Sequence, residues 1–342
     1  MDYKTMRHCA GKPTDLKNGR RFTAFSFERS RCAANSRKER VPGGAPTTLA
    51  CLLKTFWPAA ALLLGLHTPT CAAEGGDESS GAIGLFGAAA EQARATQPAW
   101  NSPLVTTTGL MEQRFRFDID EQHSGNGVNT TALDSGRGLD LIVTDNNEVQ
   151  IGLPPYDIRS QASRIPGTTG FADWPFVRIE QRLASSPENQ ANYVLTAWLQ
   201  VQAPSGIARL TTAAWTYTPT IAFGKGWGAF DVQGTIAAAL PTSHTSTIGY
   251  QVQTNLALQY HVLAVLWPEL EANWTWYASG QRGGLNQLYL TAGLVAGRFQ
   301  LTQRLRLTVG AGYQFAVAPA FRGKPLTPAY NDAWLLTSRV NF

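Results

Sequence analysis

The stretch TIGYQVQTNLALQYHV, residues 247–262, decides the fold because apolar and polar residues alternate along it. Its polar face is mainly glutamine and asparagine and includes His261; its apolar face carries Ile248, Tyr250, Val252, Leu256, Leu258, Tyr260 and Val262. Alternation of this kind predicts a β-strand with one apolar and one polar face. The stretch is long for a soluble sheet, whereas a tilted membrane-spanning strand needs roughly 9–11 residues in the hydrocarbon and can protrude beyond it.

A strand in lipid needs partners on both edges, since no backbone amide there can bond to water, and only a closed barrel provides them. The last ten residues, 333–342, alternate in the same way, with Trp334, Leu336, Val340 and Phe342 on one face. Ten further segments complete an all-β, antiparallel transmembrane barrel of about 12 strands. These segments are 114–120, 138–144, 148–153, 176–183, 193–203, 215–223, 230–240, 270–278, 287–297 and 304–317.

The connections between these segments alternate in length. Those after even strands are short, and those after odd strands are mostly longer, above all 121–137 and 154–170. Short periplasmic turns and long external loops are typical of such barrels, so both termini are expected in the periplasm. Pro219 predicts a bulge in the sixth strand, and the phase of Trp174 predicts another near Pro175.

Aromatic residues cluster at the predicted strand ends, as they do at the two lipid interfaces. The group at the external ends is Trp215, Tyr250, Trp276 and Trp334. The group at the periplasmic ends is Trp227, Tyr260, Trp267, Phe299 and Phe342.

The residues before the barrel differ in composition from the rest. Residues 51–73 include the apolar run FWPAAALLLGL and small residues before Glu74, which predicts a cleaved signal peptide. Residues 1–50 form a basic extension, and we expect that Met1 is a mis-called start. Residues 74–110 are expected to be a periplasmic lead-in, and residues 111–342 the barrel. All four cysteines precede Glu74, so the remaining chain has no disulfide or cysteine metal site.

Removal of this leader reverses the charge of the chain. Twelve of the 29 basic residues but only four of the 24 acidic residues lie in residues 1–54, so the formal charge of +5 becomes −3. The sequence therefore gives no support for nucleic-acid binding.

The polar strand faces predict the lining of the lumen. The candidate residues are Arg114, Arg116, Asp118, Arg178, Glu180, Arg182, Gln251, Gln253, Asn255, Gln259, Glu271, Asn273, Arg304, Arg306, Gln314 and Arg339. Cations and anions on these faces nearly balance, so we expect passive passage of small neutral solutes and no strong ion selectivity. A closed structural or adhesive barrel is the alternative, because about 12 strands lie between filled and open barrels.

The sequence gives little support for catalysis or for a cofactor. Ser243 and His244 are adjacent in a predicted loop, but no supporting strand residues complete a hydrolase site, so a membrane-embedded hydrolase is the weaker alternative. The histidines show no paired spacing typical of metal ligands. We therefore expect neither enzymatic activity nor a bound metal or cofactor.

Four segments resemble a known family. They are GFADWPFVRIEQRL (170–183), YTPTIAFGKGWGAFDVQGT (217–235), QYHVLAVLWPELEANWTWY (259–277) and GRFQLTQRLRLTVGAGYQ (297–314). They are similar to bacterial outer-membrane barrels described as transporters or as proteins of the MetA pathway of phenol degradation. The resemblance covers roughly residues 105–342. It implies a barrel in a Gram-negative-type outer membrane that helps small, including aromatic, compounds to cross, with outer-membrane lipids as its surroundings.

Phe342 also resembles the terminal signal that the outer-membrane assembly machinery reads on its barrel substrates. We therefore expect this machinery to be a partner of the chain and Phe342 to be the residue that it recognises.

Overall fold

The computed structural model describes residues 87–125, 127–160, 168–263, 265–319 and 329–342. The predicted extension and signal peptide, and residues 74–86 of the predicted lead-in, lie outside the described residues. No helix in the described part of the chain is long and apolar enough to cross a membrane. The described elements are helix α1 (Gly87–Ala95) and strands β1 (Arg114–His123), β2 (Asn129–Leu133), β3 (Gly138–Thr144), β4 (Asn147–Gly152), β5 (Tyr156–Arg159), β6 (Thr168–Phe171), β7 (Trp174–Ser186), β8 (Tyr193–Ala203), β9 (Thr216–Trp227), β10 (Phe230–Pro241), β11 (Gln251–Tyr260), β12 (Leu266–Tyr277), β13 (Asn286–Gln300), β14 (Arg306–Ala318) and β15 (Asp332–Asn341).

The strands form a closed antiparallel barrel. Neighbours in sequence pair from β7 to β15, and β15 pairs with β1 along the full length of both strands, from Arg114 opposite Asn341 to His123 opposite Asp332. Tight connections such as 145–146, 228–229 and 301–305 lie at one end of the barrel, which we call the turn end. The opposite end, with residues 204–215, 242–250 and 278–285, is called the loop end.

Three of the 12 strands around the barrel are each interrupted and consist of two segments, so the structure has 15 strand segments in 12 positions. β1 pairs with β3 near the turn end and with β2 near the loop end, and β2 then pairs with β5 and β5 with β6. Thus β2 and β3 form one wall strand, β4 and β5 the next, and β6 and β7 the third. The expectation of irregular loops over 121–137 and 154–170 is wrong for β2, β5 and β6, which extend the wall.

The interruption between β2 and β3 has a local cause. Residues 134–138 include three with positive φ, namely Asp134 at 54°, Gly136 at 81° and Gly138 at 122°. Left-handed backbone ends a ladder locally, and glycine adopts it without a steric penalty. Pro154 and Pro155 similarly separate β4 from β5, because proline donates no ladder hydrogen bond.

The predicted facing of the strands is confirmed in the opening stretch. Leu256 and Leu258 are exposed on the outer surface, whereas Ala257 and Gln259 are buried inside. The regular strand is shorter than the alternation, however, and runs only over Gln251–Tyr260. Residues before it form a turn in which the amides of Thr247 and Ile248 donate to the carbonyl of His244.

Of the two predicted bulges, one is correct. The register between β7 and β8 shifts between Trp174 and Val177, as the phase of Trp174 requires. Pro219 produces no bulge: β9 keeps one register with β8, and its ladder with β10 only lacks pairs between Thr220 and Tyr217. The proline removes a donor without adding a residue, so the neighbouring strands stay in phase.

The predicted aromatic residues mostly lie on the outer surface. Trp215, Trp227, Tyr260 and Trp334 are all exposed there. Trp267 is the exception and the prediction for it is wrong, since it is only 1% exposed and its ring stacks on His261 at 4.6 Å. β12 begins at Leu266 and faces Glu269 and Glu271 inward, which gives Trp267 the same inward phase.

Candidate functional site: the lumen and its internal strap

The interior of the barrel contains a segment of the chain itself. Helix α1 packs near β3 at the turn end, where Ala90, Ala93, Met111 and Ile142 form a buried apolar cluster. Residues 96–113, which we call the strap, then run into the lumen and return to the start of β1. Leu104, Thr106 and Met111 within it are almost completely buried. This placement differs from the expected periplasmic lead-in, because residues 87–110 bond to the inner wall.

Two carboxylates of β12 bind the backbone of the strap near the middle of the barrel. The amide of Leu104 donates to Glu269 Oε1 at 3.0 Å. The next two amides, of Val105 and Thr106, donate to the two oxygens of Glu271 at 2.7 and 2.6 Å. A buried amide without a partner is costly, and a charged acceptor makes a stronger bond than a neutral one, so these contacts hold the extended strap away from water.

Arginines of a neighbouring part of the wall, on β1, on β15 and between β2 and β3, bind the carbonyl groups of the strap. Arg116 Nη2 donates to the carbonyl of Leu104 at 2.5 Å, and Arg339 Nη2 donates to that of Pro103 at 2.7 Å. Arg137 donates to the carbonyl of Val105 at 3.1 Å. Glu269 and Glu271 bond to amides in the same few residues, so the strap is tied both to β12 and to the part of the wall formed by β1 and β15.

Side chains of β8 and β10 bind the part of the strap that follows Leu104, and Leu104 itself packs against the wall. Thr108 Oγ1 donates to Gln233 at 2.7 Å, and Thr196 Oγ1 donates to the carbonyl of Gly109 at 2.6 Å. Leu104 lies against Trp267 and Val295 in a notch formed by Gly293, Gly310 and Gly312, where an added Cβ would approach its side chain to 2.3–2.7 Å. Both polar and apolar contacts therefore fix the position of the strap.

The inner wall has a charged arc formed by β1, β3, β4 and β7. Arg114 pairs with Asp140 at 2.8 Å, and Arg116 with Asp118 at 2.7 Å. Arg178 forms two further ion pairs, with Glu148 at 3.1 Å and with Glu180 at 3.3 Å. These side chains are almost fully buried, so their charges neutralise one another locally instead of facing a water-filled channel.

The arc from β10 to β14 is neutral over much of its height. Asn255 donates to Thr235 at 3.0 Å, and Asn273 donates to Asn255 at 3.1 Å. Gln314 continues this chain of amides, with bonds to Asn273 at 3.0 Å and Thr291 at 2.9 Å. Such groups can exchange hydrogen bonds with hydroxyl or amide groups of a passing solute at little cost in charge desolvation.

The structure places the predicted lumen residues in three groups. Eleven are buried inside the barrel: Arg114, Arg116, Asp118, Arg178, Glu180, Arg182, Gln259, Glu271, Asn273, Gln314 and Arg339. Gln251, Gln253 and Asn255 lie on the same inner face toward the loop end and are partly accessible. Arg304 and Arg306 are exposed at the turn end, and Arg304 precedes β14, so the expectation that these two line the strand wall is wrong.

Several interior residues were outside the predicted set. Glu148 accepts from the amide of Glu112 at 2.6 Å, and Glu269 and Arg137 also hold the strap. Glu148 is the first residue of a predicted strand and Glu269 directly precedes another, where the phase of the alternation is ambiguous. Arg137 lies in a predicted loop. The strap has no alternation, and its wall contacts use backbone groups that every sequence has.

The residues considered for other chemistry lie apart. His244 has a positive φ of 53° in the connection between β10 and β11, and Ser243 Oγ donates to the carbonyl of Ala213 at 3.4 Å. His123 Nδ1 lies 2.7 Å from Asp332 Oδ1, across the seam of the barrel. Phe342 donates its amide to the carbonyl of Gln113, at the base of the strap. The described residues contain no group of three or more potential metal ligands.

No protein-family model matches the chain, and no curated protein matches it. Solved structures do. An outer membrane channel from Pseudomonas putida F1 has 16% identity and a TM-score of 0.45, with 70% of this chain and 98% of that chain covered. The NanC porin has 8% identity and a TM-score of 0.41, with 66% of this chain and 98% of that chain covered. Outer membrane phospholipase A from Escherichia coli has 12% identity and a TM-score of 0.34, with 74% of this chain and 98% of that chain covered. None of these scores reaches 0.5, so the function proposed below rests on the geometry of this chain.

Proposed function

We propose that this chain is a barrel of a bacterial outer membrane that passively admits small, mainly neutral solutes, and that the strap controls their passage. The observation that carries the proposal is a polar lumen crossed by a segment that continues into β1 at its end and is held to the rest of the wall by individual hydrogen bonds and apolar contacts. Each such bond contributes about 0.5–3 kcal/mol, so thermal displacement of part of the strap is energetically accessible.

The outer surface supports placement in a membrane. Large apolar side chains are exposed on strand after strand, with Ile179 59%, Ile221 54% and Leu270 61% exposed. Water would make so extensive an apolar belt unfavourable, whereas lipid would cover it. The turn end and both ends of the barrel domain would then face the periplasm. The protein should fractionate with the outer membrane and show heat-modifiable migration; recovery as a soluble periplasmic species would contradict this proposal.

A reversible cross-link between strap and wall tests the role of the strap. A Cβ placed on Gly109 would lie 3.1 Å from Cβ of Ala222 on β9, closer than the roughly 3.5–4.5 Å typical of a disulfide, so the bond requires a shift of a few tenths of an ångström. Residues 74–342 contain no cysteine. The variant with both Gly109→Cys and Ala222→Cys is expected to conduct poorly in a planar bilayer when oxidised. Addition of a reductant should restore its conductance.

The controls are Gly109→Cys and Ala222→Cys alone, which should not respond to reductant. Equal conductance of the oxidised and reduced double variant would show that the strap does not control passage. Absence of conductance in every variant and in the unmodified protein would favour the closed structural barrel, which the filling of the lumen by the strap also supports.

The solute class follows from the accessible part of the lining. Gln251, Gln253 and Asn255 lie on the loop side of the strap and offer neutral donors and acceptors. Liposome swelling should therefore be faster with small neutral compounds, aromatic ones among them, than with multiply charged solutes. The MetA-pathway resemblance motivates the aromatic test compounds.

A further inference from the structure

A cavity lies at the turn end of the barrel, next to the strap. It has a volume of about 630 Å³ and is bordered by α1, the two ends of the strap, the β13–β14 connection and the end of β15. Cavities of roughly 300–1,000 Å³ are typical of small-molecule sites. The cavity is therefore large enough for a ligand of several carbon atoms.

Four arginines border this cavity, and two of them have no side-chain partner among the described residues. Arg298 donates to the carbonyl of Trp100 at 2.8 Å, and Arg94 donates to the main-chain oxygen of Phe342 at 2.6 Å. Arg304 and Arg306 make no side-chain hydrogen bond or ion pair with any described residue, although both line the cavity. These two guanidinium groups are available to a ligand.

The nearby carboxylates compensate the arginines incompletely. Of the two acidic side chains that line the cavity, Glu112 is already bound by Arg114, and Glu91 acts on Arg94 of the same helix, so neither is assigned to Arg304 or Arg306. Burial lowers the pKa of Arg94, Glu112 acts in the opposite sense, and the positive charge of Arg306 lowers it further. Arg306 thus repels Arg94, and an anion between them would relieve this repulsion.

The floor of the same cavity is apolar. Trp100, Leu110 and Met111 line it and are almost completely buried, and Pro98 lies beside them. Trp100 and Leu110 belong to one apolar cluster with Val194 on β8. A ligand with a short hydrocarbon chain would contact the small part of this apolar floor that the packing leaves open, whereas an inorganic anion would not.

We propose that the turn-end cavity binds a small organic carboxylate, with its head group between Arg304 and Arg306 and its hydrocarbon chain on Trp100 and Leu110. The planar guanidinium group suits a carboxylate because two parallel N–H donors match its two oxygens. Binding at this site is measured at equilibrium, so the proposal does not depend on whether solutes cross the lumen.

Calorimetric titration of the purified protein in phosphatidylcholine nanodiscs tests the site with three matched probes. Hexanoate has both ligand features, hexanamide lacks the charge, and acetate lacks the hydrocarbon chain. Hexanoate is expected to bind at least tenfold more tightly than either control. Because each probe is tested on the unmodified protein, this comparison does not depend on the folding of any variant. Equal affinity for hexanoate and hexanamide, equal affinity for hexanoate and acetate, or no binding of hexanoate would overturn the proposal.

Variants then locate the site. Joint Arg304→Gln and Arg306→Gln substitutions should weaken hexanoate binding at least tenfold, since each loss of a charge-assisted hydrogen bond typically lowers affinity by about this factor. Arg209→Gln, an exposed arginine of the loop end, is the matched control and should leave the affinity unchanged. Unchanged affinity in the double variant, or an equal loss in the Arg209→Gln control, would contradict the assignment.

Discussion

Glu271 illustrates how a single side chain can organise the interior of this barrel. Its two oxygens accept from the consecutive amides of Val105 and Thr106, at a point where the strap is surrounded by wall. A carboxylate has enough lone pairs for both donors and offers no N–H that would oppose them. A buried charge is unfavourable on its own, and here the two strap amides supply the hydrogen bonds that compensate it.

Glu271→Gln is expected to loosen the strap while preserving side-chain size. The neutral amide accepts more weakly and presents an NH₂ group toward a backbone donor, so the inserted state should lose about 2 kcal/mol. Hydrogen exchange of the Val105 and Thr106 amides should accelerate, and conductance should rise. Glu121→Gln is the control, because Glu121 is exposed on β1 and makes no hydrogen bond to any described strap residue. Similar exchange rates in both variants would contradict the assigned role.

Facing can be tested by adding a charge on each side of β11. Leu258 is exposed on the outer surface, and Arg at mid-membrane typically costs roughly 2–4 kcal/mol. Gln253 lies on the inner face toward the accessible part of the lumen. Leu258→Arg should therefore lower the urea midpoint in lipid vesicles, whereas Gln253→Arg should change it little. Equal destabilisation by both substitutions would indicate a soluble sheet with two buried faces.

The regular strands were predictable because their two environments differ so strongly. In β11, alternate residues face either the apolar outer surface or the polar interior, and this period-two requirement is visible directly in the residue types. Closure then followed from the backbone's need for partners in lipid, and the strand number followed from a count of the alternating segments. The alternation could not give the ends of β11, because Ile248 and Tyr250 continue the pattern through a turn.

The strap and the interrupted strands could not be predicted in the same way. Leu104 and Thr106 are buried by surroundings that come from distant strands, and no periodic face marks such a segment. The groups Asp134-Ser135-Gly136 and Pro154-Pro155 indicate a break in a ladder, but they do not show whether the strand resumes beyond it. That answer depends on the pairing of β2 with β5.

Gly138 is expected to be essential to the interruption between β2 and β3. Its φ is 122°, and an added Cβ would lie 2.3 Å from the carbonyl oxygen of Ile151. Gly138→Ala should lower stability by about 1–3 kcal/mol from backbone strain, with a further loss from the clash. Gly228→Ala is a matched control, because Gly228 also has a positive φ, of 61°, but open space around its Cβ position. Urea unfolding should separate the two; equal midpoints would show that β3 shifts freely.

The barrel as a whole combines a charged arc with a neutral one, and this division determines what its lumen can do. Ion pairs such as Arg114 with Asp140 compensate the charged arc within the wall. Glu269 and Glu271 are occupied by amides of the strap. Most interior charges are therefore satisfied by fixed partners, and a solute on the loop side of the strap meets mainly amides and hydroxyl groups.

This arrangement predicts a pore with weak ion selectivity. A strong preference for one sign requires unpaired charges that focus a field into the lumen, and the interior charges here are mostly paired. Reversal potentials under a salt gradient should therefore lie near zero in a planar bilayer. Glu180→Gln would remove one negative charge from the cluster of Arg114, Arg178, Asp140, Glu148 and Glu180, and it should shift the reversal potential toward anions. The exposed Glu121→Gln change at the loop end should shift it much less. Strong selectivity of the unmodified protein would place the constriction in the segments between strands at the loop end, because the inner wall carries no matching field.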